Sequence, residues 1–139
     1  MVSDYLQAIT ETMISMAEEA LPDLPSGTQI EIKAHPHSVF DAVAMERLQI
    51  KVREEPISQL VQDYDMAIVS SGSSAVVDLY VLGLPVIIFQ FDDNLDFSPL
   101  KGFADLPTVG TSRELVQALM NTEVPVGQPH DVDDIFFLD

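Results

Sequence analysis

Strand-like and helix-like segments alternate along this chain, and the alternation predicts an α/β fold: three α/β/α layers around a mostly parallel, five-stranded sheet. Three observations carry the prediction. Met66–Val69 and Leu84–Phe89 are apolar throughout, as expected of strands buried on both faces. The segments between strands repeat their apolar residues at helical spacing. Proline and glycine punctuate the junctions, at Pro22, Pro25, Gly27, Pro56 and Gly83.

Each element follows from its own residues. Ser3 or Asp4 is placed to cap a first helix, with Tyr5, Leu6, Ile9, Met13, Met16, Ala17, Ala20 and Leu21 on its apolar stripe. That helix stops before Pro22. Thr28–Lys33 is β-branched and alternating, hence a strand. His35-Pro36-His37 is a loop, because proline disfavours helical geometry in the residue before it. Val39–Leu48 reads as a short helix with Phe40, Val43, Ala44 and Leu48 on one side, and Gln49–Arg53 as the second strand. Pro56 suits the first turn of a helix carrying Ile57, Leu60, Val61 and Tyr64.

Met66–Val69 is the third strand, and Ser70–Ser74 is a tight polar turn into a helix that runs to about Leu82. Gly83 is placed to end that helix. Leu84–Phe89 is the fourth strand, with Pro85 at its start, where a missing N–H is tolerated. A long polar loop from Asp92 to Leu106 precedes a short strand at Thr108–Gly110. Thr111 or Ser112 caps a last helix that turns Leu115, Val116 and Leu119 inward. Right-handed crossovers and one reversal give a Rossmann-like sheet with an expected strand order of 2-1-3-4-5.

A chain of 139 residues is the size of one domain, expected at residues 1–124, with an acidic tail at 125–139 that ends in the apolar patch Ile135–Leu138. There are no cysteines, so disulfides and thiolate metal sites are excluded, and a reducing compartment fits. The N-terminus has no signal-peptide pattern, and the longest apolar stretch, Tyr80–Phe91, is shorter than the roughly 20 residues a bilayer span needs. The expectation is a chain without a transmembrane segment, located in the cytoplasm or held at the inner membrane face through the rest of a parent protein. A net charge of −17 opposes binding to nucleic acid and to anionic lipid. Four of the six Lys and Arg residues, namely Lys33, Arg47, Lys51 and Arg53, fall in one short stretch with His35 and His37. Such clustering either reserves positive charge for an anionic ligand or is a solvated surface that arose by chance.

In open parallel sheets, ligands bind beyond the C-terminal strand ends, where the strand order reverses. Two features fall there. Lys33 and His35 follow the first strand, and Ser71, Gly72, Ser73 and Ser74 follow the third. Hydroxyls, close-approaching glycine backbone and amides at a helix start suit a phosphate. The alternative is a serine-rich helix cap. Lys33 and His35 would add charge and a donor; alternatively Lys33 is an edge residue in solvent, and His35 packs on Pro36. His37 is expected to diverge from His35. Asp78 follows on the same helix, where it binds a ribose hydroxyl, anchors the loop or is simply solvated. Asp92, Asp93 and Asp96 offer oxygen ligands to a divalent cation, but acidic loops in so acidic a chain mostly bind nothing, and no metal is expected. No complete catalytic set is present, so no catalytic residue is assigned.

The combination Lys33-x-His35-Pro36, Asp65–Ser74, Asp78 and Leu82-Gly83-x-Pro85-Val-Ile resembles the C-terminal, donor-binding domain of GT-B glycosyltransferases. The likeness is greatest to bacterial surface-polysaccharide enzymes of the sialyltransferase and polysialyltransferase type, with their HP and serine motifs; teichoic acid glycerophosphotransferases share a related pattern. It covers about Ile30 to Thr111, with an echo at Asp134–Asp139. The resemblance implies that His35 binds donor phosphate and that Ser73 and Ser74 hold the nucleotide phosphates. It implies a nucleotide-sugar substrate, a CMP-sugar in the HP-motif sialyltransferases, with no separate cofactor. It further implies a general base on an N-terminal domain absent here, so that this chain, as a fragment, binds donor without turning it over. The strand that would precede the first helix is expected to be missing too. Gly72 within the serine run, and Asp78 where many relatives carry glutamate, leave the donor open. Two other classes remain: a sugar-nucleotide epimerase-like domain, and a non-catalytic α/β docking domain. A receiver domain is disfavoured, because the third strand ends in serines rather than aspartate.

Overall fold

The computed structural model describes residues 1–4, 6–90 and 106–121. Its elements are α1 (Gln7–Ala20), β1 (Glu31–Lys33), α2 (Ala42–Arg47), β2 (Lys51–Arg53), α3 (Ile57–Leu60), β3 (Ala67–Ser70), α4 (Ala75–Val81), β4 (Val86–Phe89), β5 (Thr108–Val109) and α5 (Ser112–Asn121). The expected alternation holds, with shorter strands.

Local chemistry sets the boundaries. Pro22 lacks an N–H, so α1 tightens into a 3-10 turn at Leu21–Asp23. Asp41 starts α2, its carboxylate accepting from the amides of Val43 and Ala44 at 3.0 and 3.4 Å. Val43, expected inward, is instead 75% exposed, while Met45 is buried. Two residues on a helix lie about 200° apart, so this short helix cannot bury both. Gly83 ends α4 with φ +80°, and the amides of Gly83 and Leu84 donate to the carbonyls of Tyr80 and Leu79. This is the double closure that favours glycine just past a helix end. Thr111 caps α5: its hydroxyl accepts from the Glu114 amide, and Glu114 accepts in return from the amides of Gly110 and Thr111.

The capping role expected of Ser3 or Asp4 is not taken up. Leu6 precedes α1 and makes no side-chain cap. The Asp4 carboxylate accepts from the Leu6 amide two residues on, a turn in its own right.

All strand pairs are parallel, but they form two small sheets rather than one of five strands: β1–β2, and β3–β4–β5. The expected neighbours 2-1 and 3-4-5 are present; the expected pairing of β1 with β3 is not. Residues Met1–Ser3 lie between them. The Lys33 amide donates to the Met1 carbonyl at 2.8 Å, and the Ser3 amide donates to the Lys33 carbonyl at 3.0 Å. On the other side, the Val2 amide donates to the Ile68 carbonyl at 2.8 Å. The facing edges of β1 and β3 are thus bridged by the N-terminal segment, which runs parallel to β1. An extended segment does precede the first helix, contrary to expectation.

Alternate strand residues face two helical layers. Ile68, Ile87, Phe89 and Val109 bury against Met13, Met16 and Ala20 of α1 and Leu115 of α5. Ala67, Val69, Val86 and Ile88 bury against Val76 and Leu79 of α4, with Ile57 of α3 nearby. Val116 and Leu119 pack on the first of these clusters, as expected. Ile32, Met45 and Ile50 form a smaller cluster beneath α2. No described helix is long and apolar enough to cross a membrane. The Asp92–Leu95 stretch of the long loop, most of the residues after it, and the acidic tail lie outside the described residues.

Candidate functional site

At the C-terminal ends of β1 and β3, polar groups gather where the chemistry was expected. His35 is half-buried. Its backbone amide donates to Ser3 Oγ at 2.6 Å, and its ring Nδ1 accepts from the His37 amide at 3.2 Å. With Nδ1 occupied as acceptor, the neutral ring carries its proton on Nε2, which remains a donor. The His35 and His37 rings do not diverge; their centroids are 5.5 Å apart. Lys33 Nζ donates to the Ala34 carbonyl at 2.6 Å. Its side chain lies on the α3 side of the sheet, where it lines a narrow apolar slot with Arg53, Leu60 and Tyr64.

In the serine loop, Ser71 is 9% exposed and its amide donates to the Phe89 carbonyl at 2.9 Å. The Ser73 amide donates to the Ser70 carbonyl, and Ser73 Oγ accepts from the Ala75 amide at 3.3 Å. Ser74 sits at the start of α4, is exposed, and makes no side-chain cap. Gly72 is exposed, and a Cβ built on it would meet nothing within 4 Å. Asp78 is exposed one turn into α4. With only seven residues, α4 has a weak dipole, so hydroxyls and loop amides carry any affinity for an anion.

Lys33 and His35 share no hydrogen bond with Ser71–Ser74. Ser3 and Asp4 connect the two loops. Ser3 Oγ also meets Ser38 Oγ at 3.0 Å, and Ser70 Oγ donates to Asp4 Oδ2. Ser3, Asp4 and Ser70 are 3, 4 and 3% exposed. Reading Ser3 and Asp4 as caps hid this cluster. The signal available was Met1-Val2, an apolar pair ahead of two polar residues and a helix, the pattern of a strand end.

Of the four clustered cations, the two arginines are paired with glutamates. Arg47 pairs with Glu18 at 3.1 Å, and Arg53 pairs with Glu31 at 3.1 Å and Glu55 at 2.7 Å. Arg53 also donates to the Tyr64 hydroxyl, which itself donates to Glu31. The Tyr64 hydroxyl and Arg53 hold the Glu31 carboxyl below its ordinary range, and Arg53 pulls Glu55 down to about 2. Burial, then Glu31, pushes Tyr64 up to about 12. Arg53 is therefore held by its carboxylate partners and Tyr64, whereas the exposed Arg47–Glu18 pair is a weak surface contact. Among the described residues no cluster of His, Asp and Glu could hold a metal, and Asp92, Asp93 and Asp96 lie outside them. Comparisons with protein-family models, curated proteins and solved structures find no match.

Proposed function

We propose that this chain is a Rossmann-like, nucleotide-sugar-binding half of a GT-B-type glycosyltransferase of surface polysaccharide synthesis. Donor phosphates lie between the loop at Lys33–His35 and the serines Ser71, Ser73 and Ser74. The observation that supports this best is the junction itself: both loops leave the same end of parallel strands, on either side of Ser3–Asp4. An exposed glycine with open space above it, and an exposed serine hydroxyl not spent on its own helix, suit a phosphate. His35 Nε2–H supplies a further donor, and Lys33 supplies charge from the neighbouring face. Asp78, exposed one turn into α4, would bind a ribose hydroxyl. A CMP-sugar is the donor favoured by the likeness; the general base and the acceptor site belong to a partner domain.

The test is an NMR titration of the labelled chain with CMP, UDP, dTDP and GDP in turn. Shifts confined to Lys33–His37 and Ser70–Asp78, largest for one nucleotide, are expected. Replacing Ser73 and Ser74 together by alanine should weaken that nucleotide roughly tenfold or more, since hydrogen bonds to a charged group are worth about 1.5–3 kcal/mol. Unchanged affinity in the folded double variant would remove the phosphate role. His35→Ala should cost the nucleotide more than the free nucleoside; equal losses would make His35 structural.

A further inference from the structure

Ser3 and Asp4 are adjacent, buried, and bonded in opposite directions. Ser3 holds the loop after β1: its main-chain N–H donates to the Lys33 carbonyl, and its hydroxyl accepts from the His35 amide and meets Ser38. Asp4 holds the loop after β3: one carboxylate oxygen accepts from Ser70 Oγ, and the other from the Leu6 amide at 2.8 Å. Thr10 of α1 clamps the Asp4 backbone from both sides, accepting from its amide at 2.9 Å and donating to its carbonyl at 3.2 Å. Ser38 Oγ also donates to that carbonyl, at 3.4 Å.

A buried carboxylate is costly unless its oxygens are hydrogen-bonded, and here both are. Donors from separate elements converge on two adjacent residues, the backbone of Ser3 bonded to β1 and that of Asp4 to Thr10 of α1. The pair therefore cannot yield to one loop without moving the other. We propose that Ser3–Asp4 is a positioning element that couples the loop at 33–38 to the loop at 70–74. Occupancy of one loop then sets the geometry of the other. The coupling stands on these bonds alone; its ligand rests on the nucleotide-sugar reading above.

The experiment reads both separately, on the whole chain. Amide exchange without ligand tests the coupling. Ser70→Ala should speed exchange at His35 and Ser38, and Ser3→Ala at Ser71 and Ser73, each about tenfold, within the usual range of coupling between sites. Asp4→Ala should speed both loops. Asp4→Asn, which keeps an oxygen for Leu6 and a polar partner for Ser70, should restore them. Disturbance confined in each variant to its own loop overturns the coupling. A CMP titration then adds the ligand. Asp4→Ala should weaken CMP about tenfold and Asp4→Asn should recover it. A lowered Tm with unchanged exchange and unchanged CMP affinity makes Asp4 merely structural and overturns the proposal. Cross-loop exchange effects with no CMP shift in the wild type uphold the coupling and remove the nucleotide reading instead.

Discussion

Gly72 separates the demands of folding from those of binding. Its φ is not in the left-handed region, and a methyl group there would touch nothing. Folding alone therefore does not require glycine. Gly72→Ala should stabilise the chain by about 0.4–1 kcal/mol through the unfolded state. On the proposed phosphate-binding reading, the same methyl would stand in the ligand's approach, so affinity for the preferred nucleotide should fall. Urea denaturation and the NMR titration measure the two effects, and a stabilised variant that binds undiminished would deny that ligand reaches Gly72. Residue-level legibility was uneven. Gly83 was legible, and the last helix's cap was narrowed to Thr111 or Ser112, because the chemistry of a helix end is local; the structure shows Thr111. The environment of Asp4 was not, because its carboxylate partner Ser70 is 66 residues away in sequence.

Among the elements, β1, β2 and the turn after α3 are joined by Glu31, Arg53 and Tyr64, with Glu55 beside them. The folded carboxylates of Glu31 and Glu55 lie below their ordinary value of 4.5, Glu55 at about 2. Their contribution to stability is therefore present above 4.5 and is lost as pH falls toward about 2. Tyr64 is shifted the other way, from 10.0 to about 12. Its contribution is present below 10.0 and is lost as pH rises through about 12. Arg53→Met should flatten the acid limb of a plot of urea midpoint against pH. Parallel limbs in wild type and variant would show that the network adds nothing. In the wild type, one phenol should titrate near 12 by ultraviolet absorbance. Charge clustering was visible in the sequence, but its use was not. Arg53 and Glu31 stand 22 residues apart, and only the parallel register of β1 with β2 brings them together.

For the whole molecule, Met1–Ser3 is the seam between the two small sheets. Val2→Pro removes the N–H that meets the Ile68 carbonyl. An unpaired buried carbonyl costs about 1–3 kcal/mol, and stability should fall by that order, whereas Val2→Ala keeps the bond and should cost less. Amide exchange in β1 and β2 should then quicken relative to β3 and β4; uniform exchange across both sheets would argue against the seam. The sequence by itself determined the alternation of elements, the fully buried strands β3 and β4, and the loops that carry the candidate chemistry. Apolar periodicity and turn residues act over a few positions, and each window contains its own cause. Only the tertiary structure decided that β1 and β3 are held apart by the N-terminal segment. It also decided that Arg47 and Arg53 are paired with glutamates, and that Ser3 and Asp4 tie the two loops together. Those outcomes depend on which edges and charges meet across distant stretches of chain: backbone hydrogen-bond satisfaction settles the edges, and the pairing of buried or opposite side-chain groups settles the rest.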